Sequence, residues 1–299
     1  MHAPTLKATT DATGGPAADA ARPWIRRLAR AGFAAKGVQY GTIGVLAALG
    51  AIGSADGATT DSRGALDKLG DQPFGQALVV VMAIGLAGYA LWRFVEAILD
   101  PEHASNGVAG VAKRIGRFFN GLIHAGLVVY AIGLLTGAER GGGAAHDGDE
   151  ARSWSAELMS WPGGAWIVGA AGIGVIVFAL TELVKAWKSR LDEQLDLSPL
   201  RPRTRALAVD ISRFGIAARA VVFAVIGSFL VIAALRTNPH QAKGLGEALQ
   251  VVQGWTLGWL VLAVIAFGLI AYGAYELVEA RYRRIQATPV TARGQSPSP

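Results

Sequence analysis

The chain has 299 residues, of which 52% are hydrophobic and 17% charged, and its mean hydropathy is +0.36. Soluble domains carry about 25% charged residues, so this composition excludes an ordinary soluble domain and indicates a membrane protein. The absence of cysteine from the sequence excludes disulfides, thiolate metal sites and cysteine nucleophiles.

Six apolar runs follow one another between two polar tails. Each run has about 17–23 residues, the length needed to cross a ~30 Å hydrocarbon core. The runs are Gly37–Gly53, Gly75–Ala97, Phe118–Gly137, Ala165–Trp187, Phe214–Leu235 and Leu257–Val278. The tails, 1–26 and 286–299, are rich in small and polar residues, which predicts disorder. The predicted fold class is therefore all-α and integral to the membrane, with six transmembrane helices.

Lysine and arginine are distributed unevenly between the two sides of these spans. Of the 28 basic residues, the loops after the first, third and fifth runs hold only Arg63, Lys68, Arg140, Arg152, Arg236 and Lys243. The positive-inside rule then places both termini in the cytoplasm. The net charge of +6 is explained by this topology, and nucleic-acid binding is not predicted.

An internal repeat divides the chain into three helical hairpins. Arg30 aligns with Arg213 and Glu96 with Glu279, a shift of 183 residues that needs no gap, and the middle third joins with a short insertion. The three units are hairpin 1 (27–103), hairpin 2 (114–195) and hairpin 3 (210–285). Because each has an even number of spans, all three are predicted to be parallel, around a pseudo-threefold axis along the membrane normal. The first run matches the internal fifth run, so it is expected to be retained rather than cleaved as a signal peptide.

Small residues recur at fixed places in every hairpin. The first helix opens with Arg-x-Gly and then has two small residues four apart, and the second helix carries a glycine eight residues before its first repeated charge. Such spacing lets membrane helices approach closely. The predicted helix-packing residues are Gly37, Gly41, Gly121, Ala125, Ala220, Ala224, Gly85, Gly174 and Gly268.

These patterns resemble a bacterial membrane family known as domain of unknown function 1206. The resemblance rests on three tandem two-helix units with Arg-x-Gly in the first helix and Gly-xxx-aromatic-xxx-charged in the second, and it covers about residues 27–285. Hairpin 2 departs most, with Asn120 and His124 where the other units have a basic and an aromatic residue. The resemblance implies three hairpins in the bacterial inner membrane, and it implies no activity.

Charged residues inside or beside the apolar runs are the candidate functional residues. They are Lys36, Arg93, Glu96, Glu182, Lys185, Arg219, Glu276 and Glu279. One interpretation is that they are interfacial anchors and salt bridges within each hairpin. The alternative is a polar ring around the pseudo-threefold axis that admits an ion or an anionic solute. Glu182 and Glu276 lie deepest among the acids and most need a partner.

His124 is a ninth candidate, because it alone of the histidines lies within an apolar run. It occupies the position of Tyr40 and Phe223 in the other hairpins, so an aromatic packing role is favoured. A proton-relay or ligand role is the alternative.

Each outer loop contains one short amphipathic stretch, at 63–70, 155–161 and 246–252. We expect about two helical turns in each hairpin, lying at the outer interface as a cap over the bundle. A re-entrant segment that lines a pore is the alternative.

The sequence has no P-loop, no G-x-S-x-G, no H-E-x-x-H and no dinucleotide fingerprint. We therefore predict no enzyme activity, catalytic residue, cofactor or metal. One hypothesis is a non-enzymatic membrane protein that interacts with partners or with anionic lipids at its basic cytoplasmic face. The other is a channel or transporter for a small solute or ion, with a polar path along the pseudo-threefold axis. Protein partners cannot be read from these patterns.

Overall fold

The computed structural model describes residues 16–53, 59–99, 108–138, 147–188 and 195–283. Over these ranges the chain is helical and forms no strand, apart from one antiparallel bridge between Leu195 and Arg283. The predicted disordered tails fall mainly outside the described residues. Residues 16–26 are the exception. They are predicted to be disordered but form the start of the first helix, because this Ala- and Arg-rich stretch favours helix.

Six long α-helices, three short ones and a 3₁₀ turn at Pro239–Gln241 form most of the described part of the chain. The long helices are α1 (Pro16–Ala51), α3 (Gly75–Leu99), α4 (Val108–Thr136), α6 (Gly164–Lys188), α7 (Pro202–Leu235) and α9 (Gly258–Tyr282). The short helices are α2 (Ser62–Gly70), α5 (Asp147–Met159) and α8 (Leu245–Gln253). Each short helix connects the two long helices of one hairpin, as the amphipathic stretches predict.

Five long helices, α3, α4, α6, α7 and α9, are long and apolar enough to cross a membrane. These five agree with five of the six predicted spans. In α1 the apolar run contains Gln39 and directly follows Lys36, which lowers the hydropathy of the helix, although both side chains are buried. The sixth span therefore stays a prediction.

The long helices pack side by side in the order α4, α3, α1, α9, α7, α6. The row curves around a common interior, since all six helices contribute side chains to one polar cluster there. Its two ends, α4 and α6, make no extensive contact with each other in the described residues. Hairpin 2 is therefore open, whereas the two helices of hairpins 1 and 3 pack together.

The glycine of the Arg-x-Gly motif explains how hairpins 1 and 3 close. A Cβ atom on Gly32 would lie 2.6 Å from the backbone nitrogen of Tyr89, and one on Gly215 would lie 2.3 Å from that of Tyr272. Only glycine permits such an approach of the two backbones. The equivalent Gly116 of hairpin 2 faces no described atom within 4 Å.

The glycine of the second helix shows the same contrast. A Cβ atom on Gly85 would lie 2.6 Å from the Cβ atom of Ala35, and one on Gly268 would lie 2.1 Å from that of Ala218. On Gly174 it would meet no described atom within 4 Å, so the predicted packing role is not seen there. In hairpin 2 the position of the partner alanine is taken by Phe119, whose ring does not fit such a contact.

Most of the remaining predicted packing residues lie at helix contacts. A Cβ atom on Gly37 would lie 2.9 Å from the Gly273 carbonyl oxygen of α9, and one on Gly121 would lie 2.9 Å from the Phe94 ring. Ala220 is buried, and Ala125 and Ala224 are half-buried. Gly41 contacts α9 through its backbone, although no atom lies in front of its own Cβ position.

The short helices lie at the end of the bundle away from the termini. The Asp61 carboxylate caps α2 by accepting a hydrogen bond of 2.6 Å from the Gly64 N–H. The Tyr130 hydroxyl of α4 donates to the Asp67 carboxylate at 2.8 Å. Partial burial raises the pKa of Asp67, and the hydrogen bond from Tyr130 opposes that rise. At the other side of this cap, Arg152 of α5 is paired with Glu247 of α8.

Candidate functional site: a buried polar cluster

A polar cluster occupies the interior of the bundle near the end where both termini lie. It is built from the middle of α1, α4 and α7 and from the C-terminal halves of α3, α6 and α9, with Arg283 directly after α9. Its members are Lys36, Tyr40, Tyr89, Arg93, Glu96, His124, Glu182, Lys185, Arg219, Tyr272, Glu276, Glu279 and Arg283.

Lys36 and Glu276 form the centre of this cluster. The Lys36 Nζ atom lies 2.5 Å from Glu276 Oε1, and the two side chains are only 2% and 1% exposed. The same ammonium donates to the Tyr89 hydroxyl at 3.0 Å and to the Tyr272 hydroxyl at 3.3 Å. The Tyr272 hydroxyl in turn donates to Glu276. All three donors of the lysine are thus used, as a charge buried in an apolar bundle requires.

Arg219 of α7 lies beside this centre. Its Nε atom donates to the Tyr40 hydroxyl at 3.3 Å, and its guanidinium lies 3.7 Å from the Glu182 carboxylate of α6. The guanidinium carbon also lies 4.5 Å from the ring centroid of Phe223 and 4.7 Å from that of Tyr272. Aromatic faces stabilise a cation whose hydration has been removed.

A second set of ion pairs joins α3 to the end of α9. Arg93 donates to the Tyr89 hydroxyl at 2.7 Å and to Glu96 at 2.7 Å. Glu96 also accepts from Arg283 at 3.2 Å, and Arg283 lies 2.7 Å from Glu279. The fully buried Glu96 is thereby shared by two guanidinium groups from different helix ends.

His124 borders the cluster as an aromatic neighbour. Its ring centroid lies 4.5 Å from that of Tyr89, and its Nδ1 atom lies 2.8 Å from the Asn120 carbonyl oxygen of its own helix. Because a carbonyl oxygen can only accept, Nδ1 carries the proton in this contact. This geometry agrees with the packing interpretation of the residue.

A family model described as Domain of Unknown Function (DUF1206) matches the chain three times, at residues 31–100, 115–189 and 214–283. The chain belongs to the DUF1206 family. Each match lies within one of the three predicted hairpins. An uncharacterized protein of Bacillus subtilis, YxxB, is 33% identical over 264 residues, which are 88% of this chain and 93% of that protein. No solved structure matches the chain.

At two of the three contacts between neighbouring DUF1206 repeats, a base and an acid at the same repeat positions form an ion pair. Lys36 of hairpin 1 pairs with Glu276 of hairpin 3, and the equivalent Arg219 of hairpin 3 pairs with Glu182 of hairpin 2. At the third junction, between α3 and α4, the corresponding residues are Arg93 and Asn120. Here the first helix has an amide instead of a cation and the second helix a base instead of an acid, and Arg93 turns to Glu96 of its own helix.

All nine sequence-predicted residues belong to the cluster, although Lys185 lies at its margin, 3.9 Å from Glu182. Two features of the cluster are not predicted above. Arg283 lies after the last apolar run, which ends at Val278, and so is not among the candidate residues, although its i,i+4 spacing from Glu279 is a salt-bridge signal. The repeated tyrosines have the pattern of packing residues, whereas the hydroxyls of Tyr89 and Tyr272 bind Lys36.

The charges of the cluster are matched to one another. Each charged member lies within 4.0 Å of an opposite charge. In the described residues, no three His, Asp or Glu side chains are placed to hold a metal ion. Chemically, this arrangement holds helices of different hairpins together through paired charges.

Proposed function

We propose that this DUF1206 protein is a non-enzymatic membrane protein that gathers anionic lipid at its basic cytoplasmic face. One observation carries the proposal, namely that the buried charges are paired with each other while basic side chains at the same end are exposed. The exposed ones are Arg27, Arg30, Lys113, Arg114, Lys188, Arg201, Arg203, Arg205 and Arg281. Each basic residue near an anionic membrane surface contributes about 1 kcal/mol of attraction.

The proposal includes six spans, with α1 among them, as three parallel hairpins about a pseudo-threefold axis in a bacterial inner membrane. Its support is the packing of the second helix of each hairpin on the first helix of the next: α3 on α4, α6 on α7 and α9 on α1. Both termini then lie in the cytoplasm, on the side with more basic residues.

Lipid selection in vesicles tests the proposed function. The purified protein is reconstituted in phosphatidylcholine containing a minor fraction of phosphatidylglycerol, and the lipids retained around it are counted by native mass spectrometry. We expect enrichment of phosphatidylglycerol, reduced at least tenfold by the combined change Arg201→Gln, Arg203→Gln and Arg205→Gln. Salt should reduce it as well, because these charges are exposed.

The matched control changes an exposed basic residue at the other end that lies outside any proposed lipid contact, Arg236→Gln, and should leave the phosphatidylglycerol enrichment unchanged. Equal enrichment in the triple variant would contradict the proposal. So would an ion or solute flux in the same vesicles that is lost in Glu182→Gln or Glu276→Gln, since that result would favour transport.

A further inference from the structure

A groove of about 720 Å³ runs along the outside of the bundle between α1 and α9 and ends at α2. It lies on the side of α1 that faces away from the polar cluster. Its lining is almost wholly apolar, with Val38, Val45, Leu46 and Leu49 from α1 and Leu277 from α9 among the residues.

The groove exists because small residues line its floor. A Cβ atom on Gly273 would lie 2.7 Å from the Gly37 carbonyl oxygen and 2.9 Å from the Gly41 nitrogen, so α1 and α9 are in backbone contact. At Gly41 itself a Cβ atom would meet no described atom within 4 Å. The floor is therefore closed by backbone, while the space above Gly41 is open to the surroundings.

The dimensions and the polarity of the groove fit one leaflet of a bilayer. From Gly37 to Leu49 it follows α1 for about 18 Å, at about 1.5 Å per residue. One leaflet contributes about half of a ~30 Å hydrocarbon core. At the α2 end the lining becomes polar, with Lys68 and Gln72. The exposed Lys68 lies where a lipid phosphate would lie if an acyl chain filled the apolar part.

We propose that this groove binds one phospholipid of the leaflet on the α2 side, with an acyl chain over Gly41 and the phosphate on the Lys68 ammonium. An ammonium next to a phosphate forms a charge-assisted hydrogen bond, which supplies the headgroup contact. A second copy of the chain is a poorer occupant, because the small-residue face of α1 is already covered by α9 and the remaining surface is concave. The inference is independent of the proposed function, which concerns the opposite end of the bundle.

Photo-crosslinking tests the site directly. The full-length protein is reconstituted with phosphatidylglycerol that carries a diazirine on one acyl chain, irradiated, and mapped by peptide mass spectrometry. We expect adducts on 37–49 and 270–277. The variant Gly41→Leu puts a side chain into the open space in front of Gly41, so these adducts should fall at least fivefold. The matched control Gly126→Leu, at an exposed glycine whose Cβ position is also open, should leave them unchanged.

A second experiment tests the headgroup contact. Lys68→Gln should lower labelling by phosphatidylglycerol about fivefold, the factor that corresponds to about 1 kcal/mol for one basic residue near a lipid surface. Labelling by a diazirine diacylglycerol, which lacks the phosphate, should not respond to Lys68→Gln. A negative result of the lipid-selection experiment at the cytoplasmic face would not change the results expected here, because that experiment tests a different surface.

Two outcomes would overturn the inference. Adducts that persist in Gly41→Leu would show that the acyl chain lies elsewhere. A disulfide between two copies of the otherwise cysteine-free chain, formed on oxidation of a Val45→Cys variant and lost when Gly41→Leu is added, would show that the groove is a dimer contact.

Discussion

At the residue scale, Lys36 shows how a charge is kept inside an apolar bundle. It has one carboxylate and two hydroxyls as partners and lies 4.6 Å from the Tyr89 ring centroid. Removing one partner of a buried ion pair leaves the other charge uncompensated, which costs about 3–5 kcal/mol. Replacing both partners removes that penalty. Lys36 and Glu276 are therefore expected to be coupled energetically.

We predict that Glu276→Gln and Lys36→Met each destabilise the protein by about 3–5 kcal/mol. The double variant Lys36→Met/Glu276→Gln should be more stable than Glu276→Gln, because no charge stays buried without a partner. The measurement is the unfolding midpoint in detergent, treated as a double-mutant cycle. Additive effects of the two changes would show that the pair is not coupled.

At the element scale, the repeated glycines and the residues opposite them decide whether the two helices of a hairpin pack together. In hairpins 1 and 3 a glycine of the first helix lies against the backbone of a tyrosine of the second helix. Hairpin 2 has the same glycines but Phe118 and Phe119 in place of Ala34 and Ala35. Both phenylalanines are exposed, and α4 packs on α3 instead of on α6. The two equivalent glycines of hairpin 2 thus face no neighbouring helix among the described residues.

The equivalent substitutions Gly32→Ala and Gly116→Ala should have opposite consequences. At Gly32 the added methyl group lies 2.6 Å from the Tyr89 backbone, so overpacking should destabilise the protein by about 1–3 kcal/mol. At Gly116 the methyl group meets open space, and stability should be unchanged or slightly higher because alanine favours helix. Thermal unfolding of the two variants checks this. Equal destabilisation would mean that α4 and α6 pack like the other hairpins.

At the scale of the whole molecule, the six long helices form an open curve around one polar cluster. Each long helix packs extensively on its neighbour in the row, and α4 and α6 are the two ends of that row. Most of the apolar side chains on α6 are exposed, as expected for a helix that faces lipid. If α1 crosses the membrane, the two termini lie on the same side of it. If α1 does not cross, the remaining five spans place the termini on opposite sides.

Because the chain has no cysteine, single cysteines can report its topology. We predict that Arg27→Cys and Ser198→Cys are labelled by a membrane-impermeant maleimide only after the cells are opened. Asp71→Cys should be labelled in spheroplasts with an intact inner membrane. All three positions are exposed in the structure. Labelling of Arg27→Cys and Asp71→Cys from the same side would show that α1 does not cross.

The class of the protein, its three hairpins and the positions of its charges follow from local properties of the chain. Run length, glycine spacing and the repeat are such properties, so α3, α4, α6, α7, α9 and the three short helices are predictable without a structure. The pairing of the charges is not local. Lys36 and Glu276 are 240 residues apart, and they meet only because α9 packs against α1. The open hairpin 2 also depends on tertiary packing. The ring of Phe119 prevents a close contact only if the helix that carries Gly174 would otherwise lie against it.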